Sequence, residues 1–133
     1  MMNASLIESK FLRSRHKLDF TKLWSETNNS IKETILKNVN LCADEVPIIN
    51  CYQDNHHWWL LSNDSLYIMN STIGKYKFKE FDRVEIPQNF YQDVSNGELS
   101  TIQIRSESSH IELIIEPLSW SVIYSILKFV VRK

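Results

Sequence analysis

The stretch that decides the fold is residues 55–70, NHHWWLLSNDSLYIMN. Two short apolar runs flank a polar stretch, SNDS at 62–65, and this pattern predicts two antiparallel strands joined in a hairpin. Side chains alternate along a strand, so Trp58 and Trp59 must point to opposite faces of the sheet. We therefore expect one tryptophan to anchor the core and the other to face the C-terminal helix, a groove or a partner.

Further strand patterns lie on both sides of this hairpin. Clean alternation of apolar and polar residues, or a short apolar run bounded by turn residues, indicates a strand. The segments with this pattern are EVPIINCYQ (45–53), KYKFKEF (75–81), RVEIP (83–87), LSTIQIRS (99–106) and SHIELIIE (109–116). With the hairpin they predict about seven antiparallel strands.

The two ends of the chain have helical patterns instead. Asp19 can cap a short helix, and Ser30 followed by Glu33 fits a capping box that opens a second one. The first 40 residues are therefore expected to be helical. Pro117 begins a C-terminal helix that is apolar on two sides, so it should pack on the sheet and on the N-terminal helices.

These elements predict one α+β domain of 133 residues. A helical extension (1–43) precedes an antiparallel sheet or barrel (44–116), and a helix (117–133) caps it. The length is usual for a single domain with its own core.

This order resembles the pleckstrin-homology-like fold, in its bacterial PH-like and GRAM-like forms. Three blocks are similar to that family: ADEVPIINCYQ, WWLLSNDSLYIMN and YKFKEFDRVEIP, within residues 44–131. The resemblance implies a seven-stranded sheet or barrel closed by the C-terminal helix. It also implies binding rather than a defined chemistry, because one fold hosts many functions.

Lipid binding is one function that the resemblance offers. Lipid-binding members of the family carry basic residues on the first hairpins, but residues 45–70 contain no Lys or Arg. A lipid- or membrane-associated module therefore stays as the alternative function.

The residues that might carry chemistry do not form a recognisable site. His56 and His57 are adjacent on a strand and should point to opposite faces, so they are not expected to share a metal ion. Two glycines leave little material for a phosphate-binding loop. We expect no enzyme activity, metal or cofactor. Cys42 and Cys51 are expected to be reduced thiols of a cytoplasmic protein, although a disulfide between them stays possible.

The charge is unevenly distributed along the chain. The net charge is −1, but residues 44–116 hold twelve acids against five Lys and Arg, while both ends are basic. An acidic surface of this kind can steer and hold a basic partner. The profile is similar to that of small bacterial immunity proteins, which neutralise basic nuclease toxins with acidic and aromatic residues.

We therefore predict a non-enzymatic protein-binding domain, most concretely an immunity protein that binds a basic toxin domain. The expected partner-binding residues are acids and aromatic anchors: Asp82, Glu85, Phe90, Tyr91, Asp93, Glu98, Glu107 and Trp59. Neither nucleic acid nor a membrane span is expected. A third possibility is a structural role, with a weak homodimer formed through the C-terminal helix.

Overall fold

The computed structural model describes residues 2–13, 18–85, 100–106 and 109–131, which form an α+β fold. Its strands are β1 Thr21–Leu23, β2 Pro47–Asp54, β3 His57–Ser62, β4 Ser65–Asn70, β5 Thr72–Lys77, β6 Phe81–Glu85, β7 Ser100–Ser106 and β8 His110–Ile115. Its helices are α1 Ala4–Leu12, α2 Asn29–Leu36 and α3 Trp120–Val131. Single 3₁₀ turns lie at Trp24–Glu26, Phe78–Glu80 and Pro117–Ser119.

The described strands form two antiparallel sheets rather than one closed seven-stranded barrel. The first sheet has the order β1-β2-β3-β4-β5 and the second has the order β6-β7-β8. The predicted strand 75–81 is where the prediction is wrong, because a 3₁₀ turn divides it. Phe78 is buried in this turn and packs on Phe81, with 5.9 Å between ring centroids. Burying both rings lets the chain leave one sheet and enter the other.

The β3–β4 hairpin is formed as the sequence predicts. Trp59 pairs with Ile68 and Leu61 pairs with Leu66 across the two strands. The Ser62 hydroxyl closes the turn by accepting hydrogen bonds from the backbone N–H groups of Asp64 at 3.1 Å and Ser65 at 2.9 Å.

The N-terminal segment differs from the predicted pair of helices. The residues after Asp19 form strand β1, which pairs with β2, where a helix is predicted. Helix α2 begins earlier than the capping-box pattern implies. Asn28 is its N-cap and accepts a hydrogen bond from Ile31 N–H at 2.9 Å. Ser30 lies inside the first turn, so the capping box is not formed.

Both faces of the first sheet are covered. The inner face, with Trp59 and Leu61, packs against the second sheet and α3 to form the main core. The outer face, with Trp58 and Leu60, packs against Ile35 of α2 to form a second core. The N-terminal extension is thus part of the packed fold, because it buries a sheet face that would otherwise be apolar and exposed.

Both tryptophans are buried as a result. They point to opposite faces, as alternation predicts, and each is only 3% exposed. Neither one is left for a partner by incomplete burial, so an interface has to be sought elsewhere on the surface.

Helix α3 packs on the sheets and on α1, as its two apolar sides predict. Ile7 of α1 is fully buried in the main core, and Lys10 Nζ lies 4.8 Å from the ring centroid of Phe129. The N-terminal helix therefore covers the second apolar side of α3, which leaves less of that helix for a homodimer. In the part of the chain that the structure describes, no helix has the length and apolar character needed to cross a bilayer.

Candidate functional site

A cavity of about 290 Å³ opens between the two sheets. Its buried walls include Cys51 of β2, Trp59 of β3 and Leu113 of β8, and its exposed edge includes Gln53 and Glu112. This volume is close to the lower end of ordinary ligand pockets, about 300–1,000 Å³. We call this space the inter-sheet cavity.

The inter-sheet cavity exists because two strand edges face each other without pairing. β1 is short and pairs with β2 only from Ile49 to Cys51, with one further bond from Tyr52 N–H to the Phe20 carbonyl. No partner strand runs beside Gln53. On the opposite side β8 pairs only with β7, and no backbone hydrogen bond among the described residues reaches its outer edge.

Two unsatisfied hydrogen-bond donors accompany this cavity. Trp58 and Trp59 both line it, and the indole N–H of each is buried without an acceptor among the described residues. Leaving a buried donor unpaired costs about 1–3 kcal/mol, so such groups are uncommon in folded proteins. An occupant with a suitably placed acceptor would recover part of that cost.

The titratable groups at the cavity are not arranged for catalysis. Burial raises the pKa of the Cys51 thiol to about 11; a hydrogen bond involving Thr21 opposes that rise and the Glu116 carboxylate adds to it. The thiol is therefore protonated at neutral pH and is a poor nucleophile. Cys42 and Cys51 are both free, the first exposed and the second buried.

An exposed ion pair lies at the turn between β2 and β3. Nδ1 of His57 is 3.0 Å from the carboxylate of Asp54, which also accepts a hydrogen bond from His56 N–H at 2.8 Å. The backbone bond, followed by the His57 contact, lowers the pKa of Asp54. These contacts hold one histidine by the carboxylate of its own turn. No set of three or more metal-ligating side chains forms within residues 2–13, 18–85, 100–106 and 109–131.

Two buried carboxylates serve the fold rather than the cavity. Glu116 accepts hydrogen bonds from the backbone N–H groups of Asp19 at 2.6 Å, Phe20 at 3.0 Å and Thr21 at 2.9 Å. It also accepts one from the Thr21 hydroxyl at 2.8 Å. Its carboxylate therefore fastens β1 to the end of β8.

Glu45 is held in the same way on the other side of the first sheet. It accepts hydrogen bonds from the hydroxyls of Ser62 at 2.5 Å and Tyr67 at 2.9 Å and from Cys42 N–H at 3.0 Å. Lys75 Nζ lies 4.0 Å away. Burial, together with this carboxylate, raises the pKa of the Tyr67 hydroxyl. Nothing in the local sequence pattern distinguishes these two acids from exposed ones.

The structure separates the sequence-predicted partner residues. Asp82 is exposed on β6, and Trp59 lies in the main core and the cavity wall. Glu85 is neutralised by two arginines, with Arg83 Nε at 2.9 Å and Arg105 Nε at 3.2 Å. The remaining predicted residues lie outside the described part of the chain: Phe90, Tyr91, Asp93, Glu98 and Glu107.

The described strand ends show how that predicted surface divides. Phe81 pairs with Ser106, so Asp82 and the β7–β8 turn that contains residue 107 belong to one end of the second sheet. Residues 86–99 connect Glu85 to Ser100, at the opposite end, where Ser100 pairs with Ile115. One continuous acidic surface would have to extend along the whole sheet.

Sequence reasoning did not find Glu112 and Ile114, which lie on β8 beside the inter-sheet cavity. Alternation in HIELII does place both of them on the exposed side of the strand. That β8 is an edge strand next to a cavity depends on how the sheets pack, and the sequence does not carry that information.

Comparison of the chain with models of protein families, with curated proteins and with solved structures finds no match. The function therefore has to be argued from the geometry.

Proposed function

We propose that this chain is a non-enzymatic protein-binding domain that holds a basic partner through exposed acids. In its most concrete form it is an immunity protein that blocks a cationic nuclease-type toxin. The observation that supports this is a set of exposed carboxylates that form no ion pair with another described residue: Asp44, Glu80, Asp82 and Glu112.

The uneven charge gives these acids a reason beyond solubility. Three of the four lie on the sheets or on the turn between them, and residues 86–99 add two acids and no Lys or Arg. That segment contributes negative charge in any conformation. Such a field accelerates the encounter with a basic partner and sets its orientation.

The sheet order is compatible with the pleckstrin-homology-like resemblance. Without the short β1, the chain runs through four strands, then three strands, then a helix. That is the strand and helix order that the resemblance implies, and such folds bind proteins as well as lipids.

The test is binding to a panel of catalytically inactivated cationic nuclease-toxin domains between about 50 and 300 mM salt, where electrostatic steering changes strongly. We expect at least one member to bind and its association rate to fall with salt. The double variant Asp93→Lys/Glu98→Lys should slow association about tenfold and flatten the salt dependence.

The matched control is Glu26→Lys/Glu33→Lys, which changes the net charge equally at two exposed positions in the N-terminal segment. This control should retain most of the association rate. Equal losses in the two double variants, or binding that does not depend on salt, would contradict the acidic-surface proposal.

A lipid- or membrane-associated module is the alternative, and the same sheet order favours it. Of the lysines on β5, however, Lys75 is drawn to Glu45 and lies 5.4 Å from the Tyr67 ring centroid. Co-sedimentation with anionic phosphatidylserine vesicles separates the two functions. We expect no binding, and salt-sensitive binding would favour the membrane module.

A further inference from the structure

The outer edge of β8 is open beside an apolar cavity. β8 has six residues, a length of about 20 Å at 3.3–3.4 Å per residue. Every second residue of such an edge directs its backbone N–H and C=O away from the neighbouring strand. An open edge of this kind can be extended by a strand from another chain.

The cavity beside this edge needs an occupant that is apolar and accepts hydrogen bonds. Most of its buried walls are apolar, yet the tryptophans that line it carry two buried indole N–H groups without acceptors. At about 290 Å³ it is small for a drug-sized ligand. An inserted side chain, with backbone carbonyls next to it, meets both requirements.

Charge restricts the occupant further. No Lys or Arg lines the cavity, so a phosphate or carboxylate entering it would find no cation. Glu112 is exposed at the edge and forms no ion pair with a described residue. A neutral segment with a Lys or Arg next to its apolar residue is complementary to this charge.

We infer that the edge of β8 and the inter-sheet cavity together bind an extended segment of a partner protein. The backbone of the segment pairs with β8, one apolar side chain enters the cavity, and a neighbouring basic side chain meets Glu112. This inference rests on the proposed function in taking the partner to be a basic protein, and it adds the site at which that partner is anchored.

The probe is a set of capped hexapeptides of the pattern Lys-X-Lys-X-Lys-X, in which X is Leu, Ile, Val, Phe or Trp. Binding is followed by ¹⁵N NMR, with the indole N–H signals of Trp58 and Trp59 identified from Trp→Phe variants. We expect at least one peptide to shift one of these signals downfield, as a new acceptor engages the donor. Amides of His110–Ile115 should shift and exchange more slowly in the same titration.

Two substitutions provide a matched comparison. Ile114 on β8 and Ile73 on β5 are 41% and 42% exposed, and only Ile114 lines the cavity. Ile114→Lys should weaken peptide binding at least tenfold, and Ile73→Lys should leave it within about twofold. Melting curves establish that both variants fold. A peptide N-methylated at alternate positions, which cannot complete the strand pairing, should also lose at least tenfold.

Other occupants give different results, and each of them overturns the inference. A second copy of this chain would appear as a dimer in sedimentation, dissociated by Ile114→Lys but not by Ile73→Lys. A small-molecule site would bind neutral indole in the cavity while no peptide bound. Equal effects of the two isoleucine substitutions, or peptide shifts confined to other strands, would place the site elsewhere.

Failure of this inference is distinguishable from failure of the proposed function. If toxin binding depends on salt and on Asp93 and Glu98 but not on Ile114, the acidic surface stands and the β8 site does not. If peptides bind at β8 while the Asp93 and Glu98 reversals leave toxin association unchanged, the β8 site stands and the acidic surface does not.

Discussion

Replacement of Glu116 should detach β1 from the rest of the fold. The carboxylate accepts four hydrogen bonds, three from backbone N–H groups and one from a hydroxyl, and the two donors of Thr21 are buried. In Glu116→Ala each buried donor left unpaired costs about 1–3 kcal/mol, while the part-buried N–H groups of Asp19 and Phe20 can turn to water. We expect the free energy of unfolding to fall by about 3–5 kcal/mol.

Glu116→Gln tests how much of this depends on charge. The amide oxygen can still accept from Thr21, but its NH₂ group then faces the N–H of Asp19, which donates at 2.6 Å in the native protein. Hydrogen bonds to a neutral acceptor are also weaker than bonds to a carboxylate. A loss of about 2 kcal/mol is expected, smaller than for alanine.

Urea unfolding and amide hydrogen exchange measure the two parts of this prediction. Glu112→Gln is the control, since Glu112 is exposed on the same part of the chain, and it should change stability by less than about 0.5 kcal/mol. In Glu116→Ala the amides of Phe20 and Thr21 should exchange much faster than in the native protein, while those of β3 and β4 stay protected relative to them. Unchanged protection at Thr21, or a stability loss below about 1 kcal/mol, would refute the reasoning.

Three further predictions concern buried side chains. Trp58→Phe and Trp59→Phe should each cost less than about 1 kcal/mol in urea unfolding, because the lost contacts are offset by removal of an unpaired indole N–H, and a loss above about 3 kcal/mol in either would contradict this. A bulky disulfide reagent should modify Cys42 quickly and Cys51 only after unfolding, since burial raises the pKa of Cys51 to about 11; two fast equivalents would show that Cys51 is accessible. The raised pKa of Tyr67 keeps its hydroxyl protonated in the folded state, so stability should be constant with respect to this group below pH of about 10 and fall as the pH rises further. Urea unfolding between pH 9 and about 11 should show a shallower fall for Tyr67→Phe, and equal slopes would count against the assignment.

The β3–β4 hairpin and the C-terminal helix could be predicted because their signals are local. The predicted strand 65–70 is β4 itself, and the alternation that separates Trp58 from Trp59 depends only on strand geometry. The apolar sides of α3 likewise report a helical period within 12 residues.

The errors occur where a distant contact overrides the local pattern. The residues after Asp19 form a strand because β2 and Glu116 supply partners for their backbone groups, and Glu116 is 97 residues away from Asp19 in the chain. Phe78 turns out of its predicted strand because Phe81 and the main core bury its ring. Periodicity over a few residues cannot report such contacts.

The candidate site divides in the same way. The sequence by itself determined the acidic character of residues 44–116 and the two faces of each strand, because charge and alternation belong to the chain. Only the tertiary structure decided that α2 buries Trp58, that Glu85 is neutralised, and that the edge of β8 lies open beside a cavity. These features depend on which surfaces meet when two sheets and three helices of the described chain pack together, and packing is a property of the whole fold.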